Sequence, residues 1–225
     1  MEDQPPLPKT IAPLQKASTL KAALKACVHV MATLAVLPWL ISYWLGAAIL
    51  GPNRALEGTS QAISLFPGLI GVFLRRAFLM RVLARCHPTV EVSFGTLFSQ
   101  TGAILDENVY VGPRCHLGLV HLEKNVLLAA GVHIPSGGQT HYFDDPDVPI
   151  REQGGERSAI TIGEGAWIGS AAIVLANVGR GTIVGAGSVV TKPLPDFVIA
   201  VGVPAKVIRS RFAQDSGTTP DEGTS

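Results

Sequence analysis

From about residue 90 to residue 190 the chain places an aliphatic residue at every sixth position, with Gly, Asn or Asp between the steps. Leu105, Val111 and Leu117 form one run, Leu122, Leu128 and Ile134 a second, Ile162, Ile168 and Val174 a third, and Val184 and Val190 a fourth. Four positions after many of these stands a smaller or β-branched residue: Val109, Cys115, Val126, Val132, Ala166, Ala172, Val178 or Ser188. A period of six is not the spacing of a helix. It predicts a parallel β-helix in which each coil has three short strands and each strand buries one aliphatic side chain. The repeat slips by one residue between Leu117 and Leu122 and stretches to ten residues between Val174 and Val184. The second slip predicts that two residues are missing between Val178 and Gly181, tightening the last coils. Residues 135–159 carry no aliphatic periodicity at all, and an interruption of that length inside a repeat reads as a functional loop.

The first part of the chain follows a different rule. Cys27 to Leu50 holds 24 residues without a formal charge, and as far as Leu74 the only charges are Arg54 and Glu57. A helix of that length would run to about 36 Å, enough to cross a bilayer. Trp39, Tyr43 and Trp44 are residue types of membrane interfaces, and Pro38 would break the run. A secretory signal fits poorly, because the run starts late and is too long. Ile63 to Leu74 is a second, shorter apolar stretch. Arg75, Arg76, Arg81 and Arg85 follow it, which predicts a basic amphipathic helix lying on an anionic surface.

Composition agrees with this division. Charged residues make up 16% of the 225 positions, against roughly 25% in an ordinary soluble domain. With 47% hydrophobic and 6% aromatic residues the apolar content is aliphatic, which excludes a long coiled coil and a wholly disordered chain. A net charge of +1 with no aromatic-basic face gives no reason to expect a nucleic-acid partner. Cys27, Cys86 and Cys115 are scattered without a CxxC pair, which points to a reducing compartment and no disulfide framework. The expected organisation is a helical membrane-associating region over 1–88, a mainly β catalytic β-helix over 89–212 carrying the loop 135–159, and a small, polar, disordered tail over 213–225.

Three stretches are more specific: Ile162-Gly163-Glu164-Gly165-Ala166-Trp167-Ile168-Gly169, Val184-Gly185-Ala186-Gly187-Ser188-Val189-Val190-Thr191-Lys192, and Val201-Gly202-Val203-Pro204-Ala205-Lys206-Val207-Ile208-Arg209. With the repeat, they make the segment from about Val90 to Arg211 resemble the hexapeptide-repeat acyltransferases. That resemblance implies a left-handed parallel β-helix, usually assembled as a trimer. The loop Ser136-Gly137-Gly138-Gln139-Thr140-His141-Tyr142-Phe143-Asp144-Asp145 is similar to the catalytic loop of the sugar and polysaccharide O-acetyltransferases in that family. By that likeness His141 is the general base, and Asp144 or Asp145 orients it or contacts the acceptor. An imidazole with an ordinary pKa of about 6.5 is mostly neutral at pH 7 and can take a proton from a hydroxyl. The resemblance also implies acetyl-CoA as co-substrate, with Gly169, Ala186 and Gly187 near its pantetheine arm and Lys192, Lys206 and Arg209 toward its phosphates. No metal is expected.

The apolar N-terminal part has no counterpart in soluble sugar or serine acetyltransferases and points to a lipid-linked acceptor. A single crossing would carry the β-helix away from cytosolic acetyl-CoA, so a hairpin broken at Pro38, or an interfacial segment, is the placement expected. The reading is an O-acetyltransferase on the cytoplasmic side of a membrane, acting as a homotrimer on a glycan or glycolipid. Three rival readings stand beside it. A gamma-class carbonic anhydrase would use His116 and His121 as two of its three zinc ligands. A serine acetyltransferase would act on the free amino acid, and a non-catalytic β-helix would only assemble a membrane complex.

Overall fold

The computed structural model describes residue 28 and residues 30–212; the lysine-bearing lead and the 213–225 tail lie outside the described residues. The six-residue repeat folds as a parallel β-helix with three faces. The first face stacks β1 (Arg85–Cys86), β4 (Ile104–Leu105), β7 (Val120–Leu122) and β10 (Ile160–Ile162). The second stacks β2 (Glu91–Val92), β5 (Tyr110–Val111), β8 (Leu127–Leu128), β11 (Trp167–Ile168), β13 (Ile183–Val184) and β15 (Val198–Val201), and β16 (Lys206–Ser210) closes it antiparallel to β15. The third stacks β3 (Leu97–Phe98), β6 (His116–Leu117), β9 (His133–Ile134), β12 (Ile173–Val174) and β14 (Val189–Val190).

Each two-residue inner strand buries its second residue and the three-residue strands β7 and β10 their first and third, so Leu105, Leu122 and Ile162, then Val111, Leu128 and Ile168, then Leu117, Ile134 and Val174 form three internal columns with no exposed surface. The smaller partners Val109, Cys115, Val126, Val132, Ala166, Ala172, Val178 and Ser188 are buried between them. Between strands the backbone turns through positive φ, at Gly in half of the corners, at Asn108 and Asn125, and at Arg114, Ala171 and Phe197. Glycine and asparagine are the residues that take this conformation with least strain.

The shortened step falls one corner earlier than the spacing implied. Val178 is itself an inward residue of the first face, bridging Ile162 below and Leu194 above. The missing residues are therefore those of the corner between Val174 and Val178. The same corner is short between Leu117 and Leu122, and it is where the 135–159 loop leaves the stack between Ile134 and Ile160. Insertions and deletions collect at one edge because the three strand columns must stay in register while a corner need not.

The helices pack on the first coil and share its core. Residues 30–35 are helical, Val36 is a turn residue, and α1 (Leu37–Leu50) continues beyond it, with Leu40 N–H bonded to Val36 C=O. Pro38 does not turn the chain. It sits in the first turn of α1, where a missing N–H costs nothing. The reversal comes at Gly51 (φ 87°) and Pro52, which opens α2 (Pro52–Ser64). α3 (Gly68–Val82) then leads into the first coil.

The arginines of α3 do not make a solvated basic face. Arg75 is 2% exposed and donates to the C=O groups of Val92, Ser64 and Phe66, closing the C-terminal end of α2 onto β2. Arg76 stacks on Phe73 and Arg81 reaches Thr33, while Arg85 lies beyond the helix in β1, exposed and paired with Asp106 at 2.6 Å. Among the described residues no helix is long and apolar enough to cross a membrane. The three interfacial aromatics separate: Tyr43 is buried, Trp39 packs on Phe66, and only Trp44 is exposed. Trp44 stands in a face of uncovered apolar residues that includes Val30, Met31, Leu34, Ile41, Leu45 and Ile49, the last 81% exposed.

Candidate active site

The loop 135–159 is tied at its base and along its length. Leu119 N–H donates to Ser136 Oγ, and Ser158 N–H to Ser136 C=O. Glu156 N–H then bonds Gln139 C=O, and Tyr142 N–H bonds Gly154 C=O, so the two arms run side by side. Gly155 is required by this closeness, because a Cβ there would lie 2.0 Å from Thr140 O. His141 follows directly. Its backbone is fixed against Gly155 and its ring is exposed, with no hydrogen bond or ion pair to any described residue.

The two aspartates differ. Asp145 serves the loop, since its carboxylate accepts from Asp147 N–H at 2.9 Å while Gln153 bridges Asp145 C=O and Val148 C=O. Asp144 is exposed and has no partner among the described residues.

Beneath the loop lies a cleft of about 300 Å³ that the motif did not reveal, lined by Glu57 of α2, Gln100, His116, His133, Thr140 and Arg157. His116 and His133 are register partners on the third face, their rings edge to face with centroids 5.8 Å apart. Partial burial in the cleft wall holds the His116 pKa below its usual 6.5, the charge of His133 lowers it further, and Glu57 acts in the opposite sense. The signal was present in the sequence, because 17 residues separate the pair and one coil has that length between Leu105 and Leu122.

His116 and His121, the zinc ligands of the carbonic anhydrase alternative, stand on different faces. His121 is on the first face, where its Nε2 meets Asp106 at 2.8 Å. The ligand pair that the alternative needs is therefore not formed. Cys115 is buried at a repeat position and Cys86 is buried in the first coil. Loss of hydration pushes both thiols up, Cys86 to about 12, which leaves neither as a nucleophile.

Three of the positions expected to meet CoA come together at one corner of the late coils. Gly169 is buried, and a Cβ on it would lie 2.5 Å from Ala186 N. Gly187 N–H bonds Ser170 C=O, and Ala186 and Gly187 are exposed. Lys206 and Arg209 are exposed on β16, opposite Val201 and Ile199. Lys192 stands apart from them, exposed in the turn after β14. Trp167 is 49% exposed on the outside of the second face, between Leu127 and Ile183.

No family model matches the chain. A galactoside O-acetyltransferase of Escherichia coli (strain K12) is 31% identical over 162 residues, covering 60% of this chain and 77% of that protein. Two other relatives, 44% and 36% identical over shorter stretches, are spanned for only 24% and 61% of their own lengths. Among solved structures, a maltose O-acetyltransferase from Clostridium difficile 630 superposes with a TM-score of 0.60 at 22% identity, over 70% of this chain and 87% of that one. A hexapeptide-repeat containing acetyltransferase from Vibrio cholerae gives 0.55 at 18% identity, over 71% and 92%. These two establish likeness of fold.

Proposed function

The chain belongs to the hexapeptide-repeat acetyltransferase family, and from that premise we propose that it transfers an acetyl group from acetyl-CoA to a hydroxyl of a glycan or lipid-linked sugar. The observation that carries the reading is His141, held by its backbone against Gly155 in the tied loop, with its ring exposed and its neighbour Thr140 lining the cleft. His141 takes the proton of the acceptor hydroxyl as the oxygen attacks the thioester carbonyl. The C–S bond then breaks, and CoA leaves as the thiol with a proton returned from the imidazolium. The product is the acetyl ester, with no covalent enzyme intermediate. Backbone N–H groups stabilise the oxyanion. Asp144, with its unpaired carboxylate, contacts the acceptor, and Asp145 keeps the loop in shape.

The CoA arm runs past Gly169, Ala186 and Gly187, with Lys206, Arg209 and, at the next corner, Lys192 toward its phosphates. The acceptor is a sugar, by analogy with the galactoside relative. The enzyme works as a homotrimer, supported by an uncovered apolar ladder on its second face. The uncovered face of α1 supports attachment to the cytoplasmic side of a membrane without crossing it. The test is His141→Ala. Turnover with acetyl-CoA and a galactoside is expected to fall at least ~10²-fold, with an unchanged circular dichroism spectrum. A variant that keeps its turnover would remove His141 as the base.

A further inference from the structure

Between α1 and α2 runs an open groove of about 420 Å³, separate from the cleft under the loop. It exists because the two helices touch through small residues. Gly46 faces Ala55, and a Cβ on Gly46 would come within 3.3 Å of Ala55 Cβ. Gly58 leaves the next part of the groove open, since a Cβ there would meet no atom within 4 Å. Trp39 walls one end, and Leu50, 59% exposed, joins the other end to the uncovered apolar face of α1.

At the Leu50 end stands Arg54, exposed and with no ion pair or hydrogen bond to any described residue. It is the only cation between Cys27 and Leu74. An apolar trough ending at one unmatched guanidinium is complementary to a hydrocarbon chain ending in a phosphate. The neighbouring residue points to the cleft. Asn53 Nδ2 donates to Gln100 Oε1 at 3.0 Å, and Gln100 lines the cavity beneath the catalytic loop. α2 therefore carries the groove on one flank, through Arg54 and Gly58, and the cleft on the other, through Glu57.

We propose that this groove binds the lipid of a polyisoprenyl-phosphate-linked sugar, with its phosphate at Arg54 and its sugar passed over Asn53 and Gln100 into the cleft. The inference rests on the acetyltransferase reading for what happens to the sugar, but the lipid site stands on its own geometry. Leu50 joins the groove to the uncovered apolar face of α1, so with that face in a membrane the acceptor would reach the groove without leaving the leaflet.

The experiment uses the full chain and vesicle flotation, comparing phosphatidylcholine vesicles doped with a polyisoprenyl monophosphate against vesicles doped to equal charge with phosphatidylglycerol. Binding to the first is expected to be about tenfold tighter, since a single chain with a terminal phosphate enters the one trough, whereas the paired acyl chains of phosphatidylglycerol do not enter it together. Arg54→Gln should lower it about fivefold, the worth of one cation at an anionic surface. Gly58→Leu, which fills the trough, should abolish the preference, and Ala62→Trp serves the same end if the first variant melts early. Equal binding to both vesicles overturns the proposal, as does a preference that survives both filled variants. Acetyl transfer by the wild type to a soluble galactoside, measured alongside, separates the two readings. Lipid preference without transfer would sink the enzyme assignment alone, and transfer without preference would sink the groove alone.

Discussion

His116 faces outward in the repeat, yet it titrates as a partly buried group because His133 lies one coil above it and the cleft wall covers part of its ring. Its folded pKa lies below the usual 6.5. As the pH falls through that value, the unfolded chain takes up the proton before the folded one does. The contribution of His116 is therefore complete above the unfolded pKa and declines as the solution is acidified toward the lowered folded value. The melting temperature should hold steady from about pH 8 to about pH 7 and fall toward about pH 5, and His116→Gln should flatten part of that fall. An identical slope in wild type and variant would show that another group is responsible.

At the level of the coil, two glycines at the same corner of successive coils do different work. Gly169 is fixed by the approach of the next coil, since its Cβ would lie 2.5 Å from Ala186 N and 2.8 Å from Val184 O. Gly187 has open space around it, and only its φ of 67° favours glycine there. Gly169→Ala should cost about 3 kcal/mol, the upper end of overpacking, while Gly187→Ala should cost about 1 kcal/mol from the left-handed backbone. Urea titration of both variants gives the ratio, and equal losses would mean that the coils give way at Gly169. Much of the β-helix was legible because its core requires an aliphatic at each sixth position, and a soluble stack has few other ways to bury that pattern. The loop was legible as a break in the pattern, and its histidine through likeness of motif. The cleft was not, since Glu57, His116 and Arg157 meet only after helix, coil and loop are stacked. Neither was the role of Arg75. A cation after an apolar run reads as solvated unless the chain supplies three carbonyls in place of an acid, as Val92, Ser64 and Phe66 do.

For the whole molecule, the three outer faces have separate characters and therefore separate uses. The first is polar, with Arg85, Asp106 and His121 joined in one network. The third holds the histidine pair and is partly covered by α2 and the loop. The second carries Tyr110, Leu127, Trp167 and Ile183 in register across consecutive strands, with Tyr110, Leu127 and Trp167 37%, 42% and 49% exposed. A continuous apolar ladder on a regular strand face is the surface that a monomer in water would not keep uncovered. The proposed trimer would cover it with a second copy of the same chain, which presents an equally straight column. Covering a tryptophan that is 49% exposed removes at most about 120 Å² from water, worth roughly 3 kcal/mol at each contact. Trp167→Glu withdraws that and places a carboxylate inside the interface. Light scattering should find the wild type as a trimer and the variant as a monomer with an unchanged circular dichroism spectrum. Acetyl transfer should fall with the assembly, since the corner at Gly169 and Ala186 proposed to meet CoA lies on the same coils as Trp167. A Trp167→Glu protein that remains trimeric would move the interface off the second face.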